Sequence, residues 1–86
     1  MTFAEAKAIS TELSNRVDYF EALLKAIPGV GTGQMGLTPD HVRATPEFQS
    51  AKANLDASFH KLRQFNGWYS RAFKKEIRAA RAAKYA

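Results

Sequence analysis

Cysteine is absent from the 86 residues, which excludes a disulfide framework, thiolate metal ligation and a cysteine nucleophile, and fits a reducing compartment. No apolar run approaches the ~18 to 20 residues of a membrane-spanning helix. Met1-Thr2-Phe3-Ala4-Glu5 also lacks the basic region of a signal peptide, so the expectation is a soluble protein of the cytoplasm with no membrane segment. Acid is nearly missing from the C-terminal part. Beyond residue 60, Lys61, Arg63, Arg71, Lys74, Lys75, Arg78, Arg81 and Lys84 face only Glu76, a net of +7, whereas residues 1–60 carry five basic against seven acidic side chains, a net of −2. The formal charge of +5 therefore resides in the tail. Such a segment can meet nucleic acid, an acidic protein or an anionic surface, and it also complements the negative end of a helix dipole.

What the sequence does contain is helical periodicity. Its 45% hydrophobic and 24% charged residues are those of a folded chain, and its length allows one small domain, residues 1–86. Thr2-Phe3-Ala4-Glu5 is a capping box. After it, Phe3, Ala6, Ile9, Leu13, Val17, Phe20, Leu24 and Ile27 recur at three and four residues and are widened by Leu23, which predicts a helix over 3–27, stopped by Pro28-Gly29. Residues 28–37 hold four of the five glycines and read as an irregular loop. Thr38-Pro39-Asp40 and Thr45-Pro46-Glu47 each place a threonine at a cap, a proline at the first helical position and an acid in the first turn, predicting a single turn over 39–43 and a long helix over 46–84. Phe48, Ala51, Leu55, Phe59, Leu62, Phe65, Tyr69, Phe73, Ile77 and Ala80 keep helical phase along it. Asn66-Gly67 is the one internal break signal, and a break there would give a three-helix arrangement. The unslipped phase favours one continuous helix.

These readings predict an all-α fold, an antiparallel helical hairpin with a long C-terminal helix. A helix of 25 residues is ~37 Å and one of 39 is ~58 Å. The unequal lengths leave Phe73, Ile77 and Ala80 overhanging without an intrachain partner, which predicts self-association as a dimer.

The chemical motifs are weaker. Gly31-Thr32-Gly33-Gln34-Met35-Gly36 has the G-x-G-x-x-G spacing, but no strand precedes it and no helix opens from it, so it reads as a connector and no cofactor is expected. His41 and His60 stand 19 residues apart with no converging ligands, so no metal is expected. The serines and acids lie within helical patterns rather than in a strained turn or cleft, so an enzyme is not expected. The candidate site is the tail: Tyr69, Phe73 and Ile77 as an apolar stripe beside Arg71, Lys74, Arg78 and Arg81 as a basic row, with Trp68 off the stripe either as an interface anchor or packed against the N-terminal end of the first helix. Aromatic and arginine side chains are the usual anchors of protein interfaces. The same basic row could contact phosphates.

Met35-Gly36-Leu37-Thr38-Pro39-Asp40, Thr45-Pro46-Glu47-Phe48, Ala51-Lys52, Leu62-Arg63, Phe65-Asn66-Gly67-Trp68 and Phe73-Lys74-Lys75-Glu76-Ile77 resemble small accessory proteins of tailed bacteriophages and prophages. The resemblance covers residues 35–81 and carries no assigned binding residues. It implies work in a bacterial host cytoplasm by binding and diverting a host protein, including defence machinery. The expected function is therefore a non-enzymatic protein-binding module that inhibits a host factor. The alternatives are a nucleic-acid-binding protein acting through its C-terminal helix and a minor virion or assembly protein.

Overall fold

The capping box at the start of the chain forms as the sequence requires. In the computed structural model, which describes residues 1–85, the Glu5 N–H donates to Thr2 Oγ1 and the Thr2 N–H donates to Glu5 Oε1, both at 3.1 Å. That backbone donor, followed by the threonine side chain, holds the Glu5 carboxyl below its usual range, because hydrogen bonding to the charged form favours it. Helix α1 spans Phe3–Lys25, two residues short of the expected end. Ala26 is its C-cap and the Ile27 N–H turns back to the Leu24 carbonyl, since the residue before a proline avoids helical geometry. Lys25 lies 2.8 Å from Glu21, and this hydrogen bond raises its pKa.

The connector is more ordered than a glycine-rich stretch suggests. Gly29 takes φ 89°, and a Cβ there would sit 2.7 Å from Val42 Cγ2, so only glycine lets the backbone approach buried Val42 this closely. Residues Gln34–Gly36 form a tight turn in which Met35 takes φ 59° and Gly36 φ 75°, inside the segment expected to be irregular. Thr38 does not cap the next turn. Its hydroxyl accepts from the Gly31 N–H at 3.2 Å, and α2, Asp40–Arg43, starts with Pro39 as its N-cap. Thr45 behaves as expected and accepts from the Phe48 N–H at 3.3 Å to open α3, Pro46–Ala72.

α3 passes through Asn66-Gly67 without interruption, so the break considered near Gly67 does not occur. The helix expected over 46–84 is instead interrupted at Phe73, which stands at φ −121° and ψ 32° before α4, Lys74–Tyr85. The reason lies in the opposite helix. The Phe3 ring stacks on Tyr69 at 6.0 Å and meets Phe73 at 5.8 Å, and α1 begins at Phe3. In the bent arrangement the Phe73 ring rests on Phe3, Trp68 and Tyr69. Phe73 therefore has intrachain partners, contrary to the expected overhang. With the bend, α1 and α3 are ~35 and ~40 Å long, and the surplus length goes into α4.

Contacts between α1 and α3 pair rising numbers with falling ones: Phe3 with Tyr69, Ser10 Oγ with Asn66 Oδ1 at 2.8 Å, and Leu13 and Phe20 along one cleft with Asn54 and Ala57. The core between them is thin. Ala6, Val17, Val42 and Leu55 are the buried apolar residues, with Ser58 buried beside them and donating its hydroxyl to the Leu55 carbonyl at 2.7 Å. No strand occurs among the described residues, so the chain is all-α. Ala86, the end of the expected domain, lies outside the described residues.

Candidate functional site

The C-terminal part of α3 repeats aromatics at spacings that place them on one side of the helix, and α1 supplies the residue they close on. Phe65, Trp68, Tyr69 and Phe73 form one cluster with Phe3. Phe65 lies 5.6 Å from Trp68 and 6.1 Å from Tyr69, and Trp68 meets Phe73 edge-on at 5.7 Å. Offset and edge-on ring pairs of this kind add about 0.5–1.5 kcal/mol beyond area burial. Tyr69 and Phe73 are partly buried. Trp68 is at the rim and remains 42% exposed, although two neighbouring rings fix its position.

The basic row divides at the bend. Arg71 lies in the last turn of α3, while Lys74, Arg78 and Arg81 lie on α4 at four- and three-residue spacing, one face of that helix. The expected continuous stripe of four cations is therefore one residue on α3 and three on α4. All four are exposed and none makes an ion pair among the described residues. The ion pairs Arg16–Glu12, Lys25–Glu21 and Lys52–Asp56 lie within the first 56 residues. Ile77 is partly buried and Ala80 exposed; the Ile77 N–H donates to the Phe73 carbonyl at 2.9 Å, which restarts the helix.

The structure thus brings together Trp68, Tyr69 and Phe73, adds Phe3 and Phe65 to them, and sets Arg71 and Lys74 on either side of the bend. It also contains a surface that sequence reasoning missed. A cleft of about 220 Å³ between α1 and α3 is lined by Leu13, Arg16, Phe20, Asn54, Ala57, Ser58 and Lys61. Tyr19 and Leu23 stand exposed on the outer side of α1, with the Tyr19 ring edge-on to Phe20 at 5.3 Å. The signal was the width of the α1 stripe, to which Tyr19 adds a further position beside Leu23.

The G-x-G-x-x-G amides are turned inward on the chain. Gly31 N–H donates to Thr38 Oγ1, Gly33 N–H to the Leu37 carbonyl at 2.7 Å, and Gly36 N–H to the Gly33 carbonyl at 3.2 Å. These donors hold the connector's own shape, where a phosphate cradle would need them directed outward. His41 and His60 are exposed. Among the described residues no three His, Asp or Glu side chains converge, and no helix is long and apolar enough to cross a membrane. No family model, curated protein or solved structure matches the chain.

Proposed function

We infer that the chain is a non-enzymatic protein-binding module, an antiparallel helical hairpin that self-associates and docks a partner protein on the bend between α3 and α4. The observation that carries this reading is Trp68. It is 42% exposed yet held between Phe65 and Phe73, with Arg71 and Lys74 close by in sequence. A large side chain fixed before binding loses little conformational entropy on docking, and tryptophan beside arginine is the usual composition of an interface hot spot. The net charge of +7 beyond residue 60 favours an acidic partner and speeds encounter with it. The hairpin is supported by the opposed order of the α1 and α3 contacts. In the phage context implied by the resemblance, the partner is a host protein of the bacterial cytoplasm, and docking diverts or inhibits it.

The second reading, nucleic-acid binding through α4, draws on Lys74, Arg78 and Arg81 sharing one face. Pull-down from bacterial lysate, with and without nuclease, separates the two. Capture that survives nuclease, falls about thirtyfold in affinity for Trp68→Ala (~2 kcal/mol at a hot spot) and falls less for Lys74→Gln/Arg78→Gln/Arg81→Gln is the expected result. Loss of capture on nuclease treatment would overturn the protein-binding reading. So would direct binding of random duplex DNA with a log–log salt slope of roughly −3, the value for three phosphate contacts, abolished by the triple substitution.

A further inference from the structure

The chain is too open for its mass. A compact monomer of 9.6 kDa exposes roughly 5,100 Å² by the scaling of folded monomers, and this one exposes 6,535 Å². Its radius of gyration is 17.2 Å, against about 12 Å for a compact domain of this length. Part of the excess belongs to α4, whose residues are exposed apart from Ile77 among those with described side chains. On α1, Tyr19 and Leu23 are large apolar side chains left exposed. The molecule is only 16 Å across its thinnest direction, barely more than one helix diameter of 10–12 Å, and no large side chain is fully buried among the described residues. Stable domains close a core between two layers. Here α1 and α3 are those layers, and the core between them is thin enough to gain from further cover.

The shape of one side says what supplies it. Tyr19 and Leu23 project from α1 at 60% and 45% exposure. Beside them runs the cleft with Leu13, Arg16 and Phe20 on one wall and Asn54, Ala57, Ser58 and Lys61 on the other. A ridge and a groove side by side on one face are what a two-fold interface requires, since each copy then offers its ridge to the other's groove. Charge is lighter on this face than on the tail: of the two cations lining the cleft, Arg16 is paired with Glu12 at 3.1 Å, and Lys61 is the other. Contact through the +7 tails would set like charges together.

We propose that this face, the α1 ridge Tyr19 and Leu23 with the cleft over Ala57 and Ser58, is the contact between two copies of the chain. The proposal rests on the self-association in the reading above and names its surface, which is not the Phe73 and Ile77 row expected from sequence. About 800 Å² per copy makes a standard interface, and the molecule's excess of about 1,400 Å² over the monomer scaling is larger than that.

Sedimentation equilibrium at tens of micromolar tests it. The wild type is expected at twice the chain mass. Leu23→Glu and, separately, Ala57→Arg are expected to raise the dissociation constant a hundredfold or more, because each sets a charge in an apolar contact. Both positions are exposed, so helical circular dichroism should not change, while Phe73→Ala/Ile77→Ala should remain dimeric. The lack of native cysteine allows a direct check: a Tyr19→Cys chain mixed with an Ala57→Cys chain should form a disulfide-linked pair faster than Tyr19→Cys alone. A wild type that stays monomeric at several hundred micromolar would overturn self-association itself. A dimer that survives both charge substitutions and shows no preferential Tyr19–Ala57 linkage would overturn this interface and leave self-association standing.

Discussion

The two ends of the α1–α3 pair are closed by different chemistry. At the connector end, residues 26–45, closure is written in the backbone. Gly29, Gly31 and Gly36 take positive φ, successive amides bond within the loop, and Val42 is buried against a glycine with no side chain. At the other end, closure is written in side chains, five rings with centroids 5.6–6.1 Å apart and one backbone departure at Phe73. A backbone-defined end depends on where glycine stands. A ring-defined end depends on which large side chains are present, and can leave one of them at its rim.

The sharpest way to break this comparison is at Gly29. Alanine there meets a φ of 89° and places its Cβ 2.7 Å from Val42 Cγ2, so strain and overpacking add. Gly29→Ala should destabilise by about 2–3 kcal/mol, measured by urea denaturation. A neutral result would mean that the connector end has no need of its backbone geometry.

Phe73→Ala probes the other end. The ring is partly buried, so the loss should be about 1–2 kcal/mol, below the 3–5 typical of a fully buried phenylalanine. It should also change the backbone. Alanine favours helix and has no ring to keep on Phe3, so α3 and α4 should merge, with helical Cα chemical shifts running through residues 72–75. Persistence of the bend would show that something other than the ring holds it.

The difference between the ends also explains what the sequence disclosed. Helix starts were readable because caps are local: Thr2 with Glu5, and Thr45 with Phe48, each act within three residues. The all-α class followed from periodicity, which was strong enough to carry α3 through Gly67. The bend at Phe73 was not readable, since residues 69–77 keep helical phase and nothing local marks a stop. Its cause is tertiary, the position of Phe3 at the start of another helix. For the same reason Trp68, Tyr69 and Phe73 were identifiable as a group, but not which of them would be exposed. Thr38 misled because Thr-Pro-Asp looks like a cap, while its hydroxyl is drawn to Gly31 seven residues earlier. The α1–α3 cleft went unseen because the small residues Asn54, Ala57 and Ser58 signal nothing until large side chains stand across from them.

The smallest expected effect sharpens the comparison most, because it reverses the sign of the first. Gly67 lies within α3 without a positive φ, and a Cβ built there meets only the far end of the Arg71 side chain, at 3.9 Å. That is ordinary contact with a flexible group. Glycine in a helix interior is less favourable than alanine by about 0.8–1 kcal/mol, so Gly67→Ala should stabilise the fold by about 0.5–1 kcal/mol. Neighbouring Asn66 keeps its bond to Ser10, so the register of the two helices should not move. The same chemical change, a methyl group on glycine, is therefore expected to lower stability at the connector end and raise it near the aromatic end. Parallel urea denaturation of the two variants reads this directly. If Gly67→Ala destabilised instead, the ring-defined end would depend on its backbone as the connector does.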